Sequence, residues 1–260
     1  MARRKHRNVR TKEHRKTLPQ PGKGQGHAWK VTAIIASVIL AAIPFIYGKY
    51  CEFNIDDAFD GALNVYSAQS IVKGQKLGVD IVPTARPATL LVNVIGVALF
   101  GFSEFGPKII QTIMQVLALG LMFYTLRKAY GTLAAAVSLI MAAFYLSLPP
   151  YAKFGNVKEQ YMIACMLITA CGMMLRYMDG RWYWPIISGA AAVNIYYFKP
   201  TGASVLIALG IWLLLQPILR RRSFRQTGVD IFLLVIGMVA GIVPLVSFYT
   251  WQGQAGRILN

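Results

Sequence analysis

The stretch that decides the fold is residues 29–47, WKVTAIIASVILAAIPFIY, which follows a basic segment and carries one charge, at its second residue. About 20 mostly apolar residues suffice to cross a bilayer core. No small-residue cleavage site follows Tyr47, so the segment reads as a retained anchor rather than a signal peptide. Residues 1–30 hold ten Lys or Arg against the single acid Glu13. Residues 1–28 read as a disordered basic tail on the cytoplasmic side, and 29–260 as one transmembrane module.

Outward from this span, the same texture recurs. Of the 260 residues, 56% are hydrophobic and only 14% charged, against roughly a quarter charged in a soluble domain. Further spans are expected near Phe105–Leu126, Leu133–Leu148, Tyr161–Leu175, Trp182–Phe198, Ala203–Leu219 and Ile231–Tyr249. Between them lie Arg127-Lys128, Arg176 to Arg181, and Arg220-Arg221-Arg222 to Arg225. Cytoplasmic loops collect Lys and Arg, so these loops and the N-terminus belong inside. Seven alternating spans result, with the loops 48–104 and 149–160 outside. The apolar run Pro87–Phe102 is short for a span. Crossing there would invert every later loop, so it is expected to lie in the outer leaflet.

The net charge of +17 does not point to nucleic acid, because the cations sit in the tail and in short loops rather than on one face. The tail could also touch anionic membrane lipids. All three histidines, His6, His14 and His27, are in the tail, and the three cysteines show no metal or disulfide spacing. Chemistry in the membrane part would therefore proceed without His, and the sequence requires no metal and no cofactor.

The acids gather in the segment 48–104 and at Glu159. After Asp56-Asp57, the stretch Ala58 to Lys73 reads as a helix with Phe59, Leu63 and Tyr66 as an apolar stripe and Gly74 near its end. Asp56 is positioned either to cap that helix or to act as a base. Arg86 and Lys199 fit either phosphate binding or plain snorkelling. Glu159 could orient a substrate or pair with Lys158. Asp80 reads as a loop residue. Tyr196, Tyr197 and Trp251 read as an interfacial belt, and Gly237 with Gly241 as a small-residue packing pair.

Four motifs in order carry a resemblance: Asp56-Asp57-Ala58-Phe59, Arg86-Pro87, Phe100-Gly101-Phe102-Ser103-Glu104-Phe105, and Lys199-Pro200-Thr201-Gly202. Together they resemble the N-terminal half of GT-C glycosyltransferases of the protein-mannosyltransferase and aminoarabinose-transferase type. The resemblance covers roughly residues 30–250 and departs where Asp57 stands in place of the usual Glu. It implies an all-α polytopic module of about seven transmembrane helices, with two interfacial helices in the first outer loop.

The implied reaction is transfer of a sugar from a polyprenyl-phosphate donor to a protein, lipid or glycan acceptor on the outer face. Asp56 is the implied base, with Asp57 and Glu159 beside it, and Arg86 and Lys199 hold the donor phosphate. The expected location is a prokaryotic plasma membrane. Members of that group are usually longer, so a fragment, a split protein partnered by a separate chain with the missing helices, and a degenerate copy all stand open. A non-enzymatic transporter or scaffold is the alternative of a different class.

Overall fold

The computed structural model describes residues 25–55, 59–148 and 155–258. It is an all-α polytopic membrane protein. Nine α-helices are present among the described residues: α1 Gln25–Phe53, α2 Asp60–Val72, α3 Pro87–Phe100, α4 Phe105–Tyr130, α5 Thr132–Leu146, α6 Lys158–Asp179, α7 Tyr183–Phe198, α8 Ala203–Ile218 and α9 Phe224–Trp251. Five of them, α1, α4, α6, α8 and α9, are long and apolar enough to cross a membrane. The shorter α5 and α7 run antiparallel between long neighbours, because tight turns fold each back along its predecessor. One such turn is at Gly180, whose φ of 69° closes α6 in the left-handed conformation.

Seven helices therefore run between two ends of the bundle. One end carries Arg127, Lys128, Arg176, Arg181 and the turn 220–225, and will be called the Arg-rich end. The opposite, acidic end carries Glu52, Asp60, Asp80, Glu104 and Glu159. Both ends of α3 sit there. Arg86 and Pro87 line a cleft with Tyr249 near the end of α9, while a Cβ on Gly96 would meet the Pro107 nitrogen, at the start of α4, at 2.5 Å. The helix thus lies across the bundle end without traversing it, as the sequence predicts.

The helix α2 lies beside α3. Its apolar stripe faces outward: Phe59 is 79% exposed, and Leu63 and Tyr66 are exposed as well. The face toward the protein is made of smaller residues, Gly61, Asn64, Ser67 and Ala68, with Val65 and Ile71. In a membrane setting, large apolar side chains lose nothing by facing lipid, and small residues on the protein side let the helices approach closely. The helix starts at Asp60 with Phe59 at the N-cap, later than the sequence suggests. Gly74, with φ 93°, follows the helix end as expected.

Glycines set the closest helix contact. On α7, a Cβ at Gly189 would lie 2.0 Å from the Leu234 carbonyl oxygen, and on α9 one at Gly237 would lie 2.1 Å from that of Ile186. Gly241 similarly approaches Ala190. The Gly237/Gly241 pair thus brings α9 backbone-to-backbone against α7. The two larger apolar clusters hold much of the rest, and a smaller one of Met173, Leu213 and Leu234 joins α8 to α6 and α9. Ala41, Phe45, Leu119, Met122, Leu139, Ala143, Leu146 and Cys171 join α1, α4, α5 and α6. At the acidic end, residues of α2, α3, α6, α7 and α9 meet around Leu90, Tyr161, Phe198 and Tyr249. Tyr161 stacks on Phe198 with ring centroids 5.2 Å apart. Tyr197 belongs to this cluster, which corrects its reading as a belt residue; Tyr196 and Trp251 are exposed.

Candidate active site

Each site residue is placed by the way its helix begins or ends. Pro87 at the first position of α3 fixes φ there and costs no hydrogen bond, which leaves Arg86 extended at the N-cap. Its exposed side chain lines a cleft of about 490 Å³ with Pro83, Thr84, Ala85, Leu77 and Tyr249. The loop under this cleft is tied down at two points. Lys76 N–H donates to Asp80 at 2.7 Å, which makes Asp80 a turn residue, and Leu77 N–H donates to Gln252 beyond α9 at 3.2 Å.

Glu159 lies in the first turn of α6, and Lys199 is the residue that closes α7. An acid at a helix N-terminus and a cation at a C-terminus are each favoured by the helix dipole. Because α6 and α7 are antiparallel, these two ends meet, and Lys199 Nζ donates to Glu159 Oε1 at 2.8 Å. Lys158, one of the two options the sequence offers for Glu159, reaches the other way, to Asp60 at 3.8 Å. The Arg86 cleft is lined by neither Glu159 nor Lys199 among the described residues. The two regions are nevertheless continuous: Ala88 and Leu90, just after Arg86, pack in one cluster with Tyr197 and Phe198, just before Lys199.

Asp56 and Asp57 lie outside the described residues. Their described neighbours do not. The Ile55 carbonyl accepts from Lys108 Nζ at 2.7 Å, and Asp60 pairs with Lys158. The flanks of the acidic pair therefore meet the starts of α4 and α6, at the same bundle end as Arg86, Glu159 and Lys199.

Beneath the surface helices runs a buried polar seam that sequence reading did not single out. Glu52, only 1% exposed, accepts from Lys49 at 2.6 Å and from Gln111. Glu104 pairs with Lys108 at 2.9 Å. Farther in, Gln115 donates to Gln160, Asn156 donates to Asn93 of α3, and Tyr161 donates to the Pro107 carbonyl at 3.0 Å. These groups are almost wholly buried, so each needs the others. The signal was available: Glu104, Lys108, Gln111 and Gln115 recur at helical spacing on an otherwise apolar segment. The sequence groups Glu52 and Glu104 with the acids of the segment 48–104, but both are built into the bundle.

The arrangement puts two cationic side chains, Arg86 and Lys199, at one end of a membrane bundle, with carboxylates close by and an open cleft beside one of them. Guanidinium and ammonium groups of this kind suit a phosphate, and a carboxylate at the membrane surface suits proton removal from a hydroxyl.

Among known proteins, no curated protein and no solved structure matches the chain. A family model described as dolichyl-phosphate-mannose-protein mannosyltransferase matches residues 85–248. The match begins one residue before Arg86 and takes in Glu159 and Lys199, while Asp56 and Asp57 precede it. It covers more than half of the 260 residues and nearly all of α3 to α9. The chain belongs to the dolichyl-phosphate-mannose-protein mannosyltransferase family, and with it to the membrane glycosyltransferases of the GT-C kind.

Proposed function

We propose that the protein moves a sugar from a polyprenyl-phosphate donor to an acceptor hydroxyl at the acidic end of the bundle, with Asp56 as general base. Asp56 accepts the hydroxyl proton as the acceptor oxygen attacks the anomeric carbon. The bond between that carbon and the phosphate oxygen breaks, and the polyprenyl phosphate leaves with the electron pair. Arg86 and Lys199 take up the phosphate charge, and the configuration at the sugar carbon inverts. Asp57 and Glu159 support the acceptor side. Glu159 also holds Lys199 in place by their ion pair until the phosphate competes for it.

The observation that carries this reading is Arg86 in an open cleft at a bundle end that also holds Glu159, Lys199 and both flanks of the acidic pair. Family membership supplies the chemistry to which that geometry is suited. The acidic end faces outward in this proposal, because the Arg-rich loops then face the cytoplasm, where the basic tail also lies. The membrane is taken as a prokaryotic plasma membrane. The acceptor is a protein, a lipid or a glycan.

The test is transfer in proteoliposomes from a radiolabelled polyprenyl-phosphate sugar, with any further chain the activity needs supplied. Asp56→Asn should abolish transfer while membrane insertion and donor binding persist. Retained transfer rejects Asp56 as the base and moves the role to Asp57 or Glu159.

A further inference from the structure

We propose that the turn joining α8 to α9, at the Arg-rich end, is a docking surface for the phosphodiester headgroup of an anionic phospholipid. The turn is ordered from within. Asp230, fully buried in the second turn of α9, accepts from Arg176 Nε at 2.6 Å and from Arg222 Nη1 at 3.0 Å. Arg222 also lies over the Tyr177 ring, 4.2 Å from its centroid. The Arg221 N–H donates to the Gln216 carbonyl at 3.0 Å, and Arg220 takes up a positive φ of 54°. A capping box between Ser223 and Gln226 fixes the start of α9.

The result is three exposed guanidiniums, those of Arg220, Arg221 and Arg225, displayed on a rigid turn. No carboxylate among the described residues pairs with them. The acids at this end are committed elsewhere, Asp179 to Lys128 and Asp230 to Arg176 and Arg222. Immediately beside the guanidiniums stand exposed Ile218, Leu219 and Phe224. A cationic crown above an apolar rim complements an amphiphile: phosphate against the arginines, acyl chains against the rim. Topology signalling requires only charge in the loop. The buried anchor for Arg222 and the capping box go beyond that requirement and hold the backbone that carries the three arginines in one geometry, which brings their guanidiniums within reach of one headgroup.

The full chain, purified in detergent, is titrated with phosphatidylglycerol and with phosphatidylcholine of matched acyl chains, and bound lipid is read by native mass spectrometry. Phosphatidylglycerol should be retained in preference to phosphatidylcholine. In the triple variant Arg220→Gln, Arg221→Gln, Arg225→Gln its retention should fall on the order of a hundredfold, roughly fivefold for each arginine. The single variant Arg225→Gln should show about one such step. All three side chains are exposed, so thermal unfolding should be unchanged. Three results each overturn the proposal: equal retention of both lipids, unchanged phosphatidylglycerol binding by the triple variant with the basic tail intact, and displacement of the lipid by soluble glycerophosphate, which would make the ligand a free anion.

Discussion

Removing the Glu52 carboxylate tests whether the buried polar seam holds the acidic end together. The side chain is 1% exposed and accepts from Lys49 at 2.6 Å and from Gln111. Lys49 is itself buried, and its ammonium lies 5.7 Å from the centre of the Phe45 ring. Glu52→Ala leaves that ammonium uncompensated and Gln111 without its acceptor. Breaking a buried pair from one side costs about 3–5 kcal/mol. For a chain of this size each kcal/mol lowers Tm by roughly 2–4 °C, so a loss of about 6–20 °C is expected. The double variant Lys49→Met, Glu52→Leu removes both charges and keeps the volume. It should recover the share of the loss that comes from the stranded ammonium, because replacing a whole buried pair by apolar residues is often nearly neutral, while Gln111 stays without its acceptor in both variants. The assay is thermal unfolding of both variants and the parent in one detergent. A drop below about 2 °C for Glu52→Ala, or a double variant as unstable as the single one, would refute the view that the pair is a mutually dependent buried unit.

Gly237→Val should disrupt the α7–α9 contact, since even a Cβ there would lie 2.1 Å from the Ile186 carbonyl oxygen; loss of the monodisperse peak in size-exclusion chromatography checks this, and normal behaviour contradicts the close packing. A cysteine at Ser103 should react with an impermeant reagent added to intact cells, and one at Ser223 should not; the reverse pattern inverts the proposed orientation. Arg86→Ala should weaken donor binding by about tenfold or more through loss of a charge-assisted contact, measured by competition with a polyprenyl phosphate, while unfolding stays unchanged because the side chain is exposed.

The architecture was legible because membrane spans are written in long apolar runs and loop charge. The limits of α4, α5, α7 and α8 agree with the expected spans to within a few residues. At α6 and α9, polar residues continue the helix past the apolar run. Helix α6 starts at Lys158 rather than Tyr161 because Glu159 and Gln160 find partners at the bundle end. Helix α9 starts at Phe224 rather than Ile231 because Ser223 and Gln226 cap it and Asp230 meets two arginines. Reading α3 as a non-crossing helix rested on two signals: its apolar run is short for a span, and crossing there would have inverted the charge pattern of the later loops.

The site was legible only as far as single residues announce themselves. Arg86 stood out by its Pro, and Lys199 and Glu159 by being charges at helix ends. Their pairing was not visible, because it depends on α6 and α7 folding back so that residues 40 apart meet. The seam shows the same limit more sharply. Lys108 lies fully inside the bundle, yet it forms an ion pair with Glu104 one turn before it and donates to the Ile55 carbonyl just beyond α1. Burying that ammonium is tolerable only with such partners around it. Once it is buried, α4 cannot shift along α1 without breaking the bond to Ile55. The polar groups under α2 and α3 therefore do for this bundle end what apolar contact alone does poorly in lipid, where hydrophobic burial gives helices no preference for one another. They fix which residues of α1, α4 and α6 stand side by side, and so the relative positions of the loop flanks from which a surface reaction must be run.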